Sequence, residues 1–188
     1  RPETEFIIEG VEKYFKDKKQ NLNFIDLGTG SGCLAISLAK EYSFSKFVAT
    51  DISMEALKVA KNNSKKFKIF DRIQFINCNW YNGNKKFDVI LSNPPYLTFK
   101  EYHNLDIGLK KNEPKTALYG GKDGLSCYRR LGPILQKMSN KNSISFIEIG
   151  FKQRDKTLQI FREFGMKCID IILDYQKYDR ILVLMKEK

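Results

Sequence analysis

The stretch Asn93-Pro94-Pro95-Tyr96 carries side chains suited to holding a planar nitrogen, and it directly follows the apolar run Val89-Ile90-Leu91 and Ser92. An amide or exocyclic amino nitrogen is a poor nucleophile because its lone pair is delocalised. A site can help by accepting hydrogen bonds from its N–H groups and aiming it. Asn93 offers one acceptor, its side-chain Oδ1, and the Pro94 carbonyl offers a second. The ring of Pro95 restricts the residue before it and so fixes the direction of that carbonyl. Tyr96 can stack on a planar group and wall off water. No strong base is then needed beforehand. Alignment supplies much of the rate, and the proton leaves once the nitrogen is cationic. Taken alone, the tetrapeptide also reads as a stiff turn, since Asn before Pro is a common turn signal.

A second motif, FIDLGTGSGCLA, lies at residues 24–35. Gly28, Gly30 and Gly32 alternate with Thr29 and Ser31 between an apolar run and a helical pattern. Glycine permits a sharp turn and close approach of a ligand, and the following helix start offers unbonded N–H groups. Asp51 ends the next apolar run, roughly 20 residues on, where a carboxylate can accept hydrogen bonds from ribose hydroxyls. The spacing GxGxxG of dinucleotide sites is not met, because position 33 is Cys. Asp26, just before the glycines, suits a ligand's ammonium group. A hydride carrier would also leave the Asn-Pro-Pro-Tyr corner without a purpose. These details favour S-adenosylmethionine, with S-adenosylhomocysteine as product.

The elements that must position both motifs alternate strand and helix, which predicts an α/β domain with a mostly parallel sheet. Helical spacing marks residues 4–15, 32–40, 53–66, 125–138 and 153–164, with Ser53 as an N-cap. Strands are expected at 23–27, 46–50, 72–77, 87–91 and 143–149. Two final strands, 167–173 and 180–185, suggest an antiparallel hairpin on the sheet edge. Residues 99–124 lack clear periodicity and read as a long functional loop. In an open α/β sheet, ligands sit beyond the carboxyl ends of the central strands, so the glycine turn and the Asn-Pro-Pro-Tyr corner are expected to face one crevice.

The 188 residues fit a single domain, with 1–20 a connector and opening helix and 21–188 the catalytic sheet. Beginning at Arg1 and not Met, the chain is expected to be a fragment. No apolar run is long enough to span a membrane. Four scattered cysteines with no CxxC pair, and His103 as the one histidine, argue against a metal site or disulfide framework and for a reducing cytoplasm. With 33 Lys and Arg against 22 Asp and Glu, the net charge of +11 favours contact with nucleic acid or the ribosome.

Together these motifs resemble the HemK/PrmC-type release-factor glutamine methyltransferases over nearly the whole chain. RPETE at residues 1–5 is similar to the segment entering the family's catalytic domain, DLGTGSG at 26–32 to its cofactor loop, and SNPPY at 92–96 to its acceptor motif. EPKTALYGGKDGL at 113–125 and EIGFKQ at 148–153 resemble two further family segments. The resemblance implies a Rossmann-like, class I methyltransferase sheet of seven strands. It also implies N5-methylation of the glutamine in the Gly-Gly-Gln tip of peptide chain release factors. By position, Gly28, Thr29, Gly30, Ser31, Gly32 and Asp51 would bind the cofactor, Trp80 would lie against its adenine, and Asn93 would touch both cofactor and substrate. Pro94, Pro95 and Tyr96 would hold the glutamine. The sequence departs from the pattern at Asn79, usually acidic, and at Lys177, usually a turn glycine. The resemblance implies that this stretch of chain leaves out the family's N-terminal domain, which helps grip the release factor, and some relatives carry a further transfer-RNA methyltransferase domain. The rivals are methylation of a ribosomal-protein glutamine, or of an exocyclic amino group on a nucleic-acid base. A catalytically silent cofactor-binding domain is a third.

Overall fold

Seven runs rich in β-branched and aromatic residues pair into one sheet: β1 (Asn23–Leu27), β2 (Lys46–Asp51), β3 (Ile73–Asn77), β4 (Phe87–Ser92), β5 (Ser139–Glu148), β6 (Met166–Leu173) and β7 (Asp179–Lys186). Their order is β3-β2-β1-β4-β5-β7-β6. The computed structural model describes residues 5–106, 108, 110 and 113–187. Most of the RPETE segment, including Arg1, lies outside the described residues, and Glu5 opens the first helix.

The strand period of two divides the core between the faces of the sheet. Phe24, Val89 and Phe146 face α1 (Glu5–Tyr14) and α2 (Cys33–Glu41). Ile25, Ile90 and Ile147 point the other way, into a second core. α3 (Met54–Lys66) begins as the sequence predicts, with Ser53 Oγ accepting a hydrogen bond from Ala56 N at 3.1 Å.

The described residues of the segment 99–124 hold more regular structure than their missing periodicity suggests. α4 (Phe99–His103) starts with a reciprocal cap. Thr98 Oγ1 accepts from Glu101 N, and the Glu101 carboxylate accepts from Thr98 N at 2.8 Å. After α5 (Lys115–Leu118), Tyr119 bridges back to Leu97. Leu97 N donates to Leu118 O at 3.0 Å, and Gly120 N donates to Leu97 O at 2.9 Å. α6 (Ser126–Met138) and α7 (Arg154–Glu163) cover the second core through Leu131, Leu135, Ile160 and Phe161.

The final hairpin sits at the edge of the sheet as an antiparallel pair, as the sequence predicts. β7 inserts between β5 and β6, antiparallel to both, and β6 becomes the outer strand. Burial explains the order. Ile181, Leu182, Val183 and Leu184 are all fully buried, which demands cover on both faces, whereas β6 alternates with exposed residues. Lys177 adopts the left-handed conformation (φ 65°) that glycine would take more easily. Asp174 holds the turn nonetheless, its Oδ1 accepting from Gln176 N at 2.9 Å and Tyr178 N at 3.0 Å. No helix among the described residues is long and apolar enough to cross a membrane.

Candidate active site

β1 and β4 are adjacent parallel strands whose register pairs Leu27 with Ser92. The residues that follow, Gly28 and Asn93, therefore leave the sheet side by side at its carboxyl edge. Ser92 Oγ, buried, donates to Leu27 O at 2.9 Å and locks that register. A trough opens between the two chain exits. It has a lobe of about 240 Å³ and another of about 700 Å³, and Gly28, Gly30 and Ser31 on one wall and Asn93, Pro94 and Pro95 on the other line both. The crevice expected from the sequence is thus present, at the switch point between β1 and β4.

Asp26, Thr29 and Tyr96 belong to the smaller lobe. Asp26 is only 2% exposed. Its Oδ2 accepts from Thr29 Oγ1 at 2.6 Å, and its carboxylate also accepts from the backbone of Ala35 in the first turn of α2. That second bond matters because the residue before α2 is Gly32, which has no side chain to cap the helix. Burial, the dominant effect, raises the Asp26 carboxyl from 3.8 to about 6, and the two hydrogen bonds only partly oppose it. A carboxylate strained in this way gains from a cationic partner in the lobe.

Asp51 and Trp80 belong to the larger lobe, with the exposed Asn79 beside them. Asp51 braces the glycine turn, one oxygen accepting from Gly30 N at 2.8 Å and the other from Ser53 N at 2.8 Å. Each oxygen retains a lone pair for a ligand hydroxyl. Trp80 is the one bulky aromatic residue among the described residues held at positive φ, 64°. Such a conformation costs on the order of 1–3 kcal/mol and marks sites where the surroundings over-determine the backbone. Cys78 Sγ hydrogen-bonds Trp80 O at 2.7 Å and helps to fix it.

The glycines differ in purpose. Gly28, Gly30 and Gly32 all have positive φ. A Cβ on Gly30 would meet nothing within 4 Å, so it would project into open space beside the trough. Gly32, expected to bind cofactor, lies behind the turn and does not line either lobe. A Cβ there would stand 3.0 Å from Ala60 Cβ, so this glycine lets α2 and α3 approach.

These residues fit S-adenosylmethionine. A buried carboxylate suits the ammonium, the positive end of α2 suits a carboxylate, and Asp51 suits the ribose hydroxyls. Trp80 offers a flat apolar face for adenine.

Two residues at the site carried no assigned role in the sequence. Glu113 lines both lobes beside Pro94 and Pro95. Gln153 lies behind Tyr96, out of the trough, and donates to Tyr96 O at 2.9 Å. Their signal was membership of the segments EPKTALYGG and EIGFKQ, which no local pattern connects to the corner.

The methyltransferase small domain family matches residues 4–108. The chain is 42% identical over 161 residues to a bifunctional methyltransferase of Rickettsia felis, covering 85% of this chain and 31% of that protein. It is 33% identical over 190 residues to a release factor glutamine methyltransferase of Agrobacterium fabrum, covering 99% of this chain and 66% of the relative. The chain thus spans about a third to two thirds of these relatives' lengths. Among solved structures, the ribosomal protein L11 methylase of Lactobacillus delbrueckii superposes with a TM-score of 0.72 at 21% identity, covering 100% of this chain and 79% of that one.

Proposed function

Because the chain belongs to the methyltransferase small domain family, whose S-adenosylmethionine-dependent fold it shares, we propose that it methylates the side-chain amide nitrogen of a glutamine, in the Gly-Gly-Gln motif of peptide chain release factors. One observation carries most of the reading. The Leu27–Ser92 register puts the glycine turn and the Asn-Pro-Pro-Tyr corner on facing walls of one trough. Substrate identity rests on the release factor glutamine methyltransferases to which the chain is related.

The chain's own residues have simple tasks. Asp26, Asp51 and Trp80 orient the cofactor, which when bound supplies an electrophilic methyl group and leaves as S-adenosylhomocysteine. Asn93 Oδ1 and the Pro94 carbonyl accept the two N–H groups of the glutamine amide, holding its plane and turning the nitrogen toward the smaller lobe. Tyr96 covers the amide and excludes water. These acceptors become better partners as positive charge builds on the nitrogen, so they favour the transition state over the bound ground state. The extra proton then passes to solvent.

The test is incubation of the full-length protein with a release factor, ribosomal proteins and nucleic acid, each with methyl-labelled cofactor. Label on the Gly-Gly-Gln peptide, located by mass spectrometry, is the expected result. Label only on a ribosomal protein or a base would overturn the substrate assignment.

A further inference from the structure

We propose that Gln153 is the positioning residue of the acceptor corner, its side-chain amide setting the path of Tyr96 and, through it, the direction of the Pro94 carbonyl. The inference deepens the methyl-transfer reading above and rests on it.

The two prolines limit what the corner's backbone can donate. β4 ends at Ser92, and neither Pro94 nor Pro95 has an N–H to donate. Its far end is held by the Leu97 bonds to Leu118 and Gly120. Gln153 supplies an anchor between these points. Its Nε2 donates to Tyr96 O at 2.9 Å and to Gly124 O at 3.4 Å. Its Oε1 accepts from Gly150 N at 3.1 Å and lies 3.4 Å from the Tyr128 hydroxyl. Both donors of the amide are used, and its oxygen accepts from Gly150 N, with the Tyr128 hydroxyl, whose proton is nearer Glu148 O at 3.2 Å, beside it. The orientation is fixed as well, since a flipped amide would set its oxygen against two carbonyls.

The surroundings are cut to fit this one side chain. Gln153 is 9% exposed. A Cβ on Gly124 would come within 2.4 Å of Tyr96 O and 2.6 Å of Gln153 Nε2. A Cβ on Gly150 would come within 2.6 Å of Gln153 Oε1 and 2.8 Å of the Tyr96 ring. Two glycines, from segments 26 positions apart, thus vacate space for the same amide and the same tyrosine (150 − 124 = 26). Gln153 lines neither lobe, so it acts on substrate only through the corner.

The experiment compares the full-length protein with Gln153→Met, which keeps length and removes every polar bond, and Gln153→Glu, which replaces both donors by an acceptor. Two measurements are made on each. The first is kcat per cofactor-competent site, with sites counted by S-adenosylhomocysteine binding. A displaced acceptor costs about 10- to 100-fold in kcat, with affinity for S-adenosylhomocysteine within about 2-fold of wild type. A purely structural role would lower the number of competent sites and leave kcat per site unchanged, and that result would overturn the proposal. The second is amide hydrogen exchange at Leu97 and Gly120, which is expected to quicken at least 10-fold while Gly28 and Thr29 stay protected. This second readout needs no turnover. Unchanged exchange in whichever variant binds S-adenosylhomocysteine refutes the positioning role. A wild type that labels some acceptor other than glutamine refutes the substrate reading alone.

Discussion

Replacing Asp26 by Asn should make the ligand-free protein gain stability relative to wild type as the pH rises. The buried carboxyl titrates at about 6 in the folded chain, against 3.8 as its reference value. Well below pH 3.8 the group is neutral in both states and costs nothing. As the pH climbs from 3.8 to about 6, the unfolded chain holds fewer protons than the native one and wild-type stability falls, levelling off above the folded value. At 1.36 kcal/mol per pH unit, the full loss is roughly 3 kcal/mol, of which about 2–3 kcal/mol accrues between pH 4 and pH 8. Asn is neutral throughout and does not share this slope. It brings costs of its own, because its NH2 group meets the Thr29 hydroxyl and the Ala35 N–H that now bond the carboxylate. Those costs are independent of pH, so the informative quantity is the change in the stability difference between pH 4 and pH 8, not its value at either. Urea unfolding of both proteins across that range measures it. The same charge is what should attract the ligand's ammonium, so the variant should also lose most of the stabilisation that S-adenosylmethionine confers on wild type. A stability difference that stays flat with pH would refute the burial argument for Asp26.

Asn93→Ala should lower kcat about 100- to 1,000-fold, in line with loss of one transition-state acceptor, while calorimetry finds cofactor affinity changed little; unchanged turnover would remove Asn93 from the chemistry. Trp80 is the only tryptophan, so its emission should shift or quench on titration with S-adenosylhomocysteine, and an unresponsive spectrum under saturating ligand would take adenine off its face. Lys177→Gly should raise the melting temperature, since it relieves a left-handed residue worth about 1 kcal/mol; thermal unfolding at neutral pH measures the change.

The parts of the site legible in the sequence are those built from neighbours in the chain. Gly28 and Gly30 announce a turn, Asp51 ends a strand, and two prolines end β4, each by local chemistry. Their meeting also followed, because α/β sheets place strand ends together. What escaped depends on distant partners. Tyr96 and Gln153 are 57 residues apart, and no periodicity links them. The two ends of the segment 99–124 are held by the Leu97–Tyr119 bridge and the reciprocal cap at Thr98. The cap was visible as Thr followed three positions later by Glu, but the bridge was not. The place of β7 turned on four consecutive buried residues, a reading of burial that hairpin rules alone do not supply.

The long reach of the Gln153 amide sets an order in which the two halves of the site mature. The cofactor wall closes over short spans: Gly30 to Asp51 is 21 residues, and Cys78 to Trp80 only 2. The acceptor corner must wait for α7 to dock, 57 residues downstream, and the entropy of closing a loop rises with its length. During vectorial synthesis from the ribosome, the glycine turn and its Asp51 brace therefore emerge well before the residue that anchors the acceptor corner. A chain stopped short of residue 153 loses more than this amide: β5 has no β7 to pair with, and the core on both faces of that strand is left open.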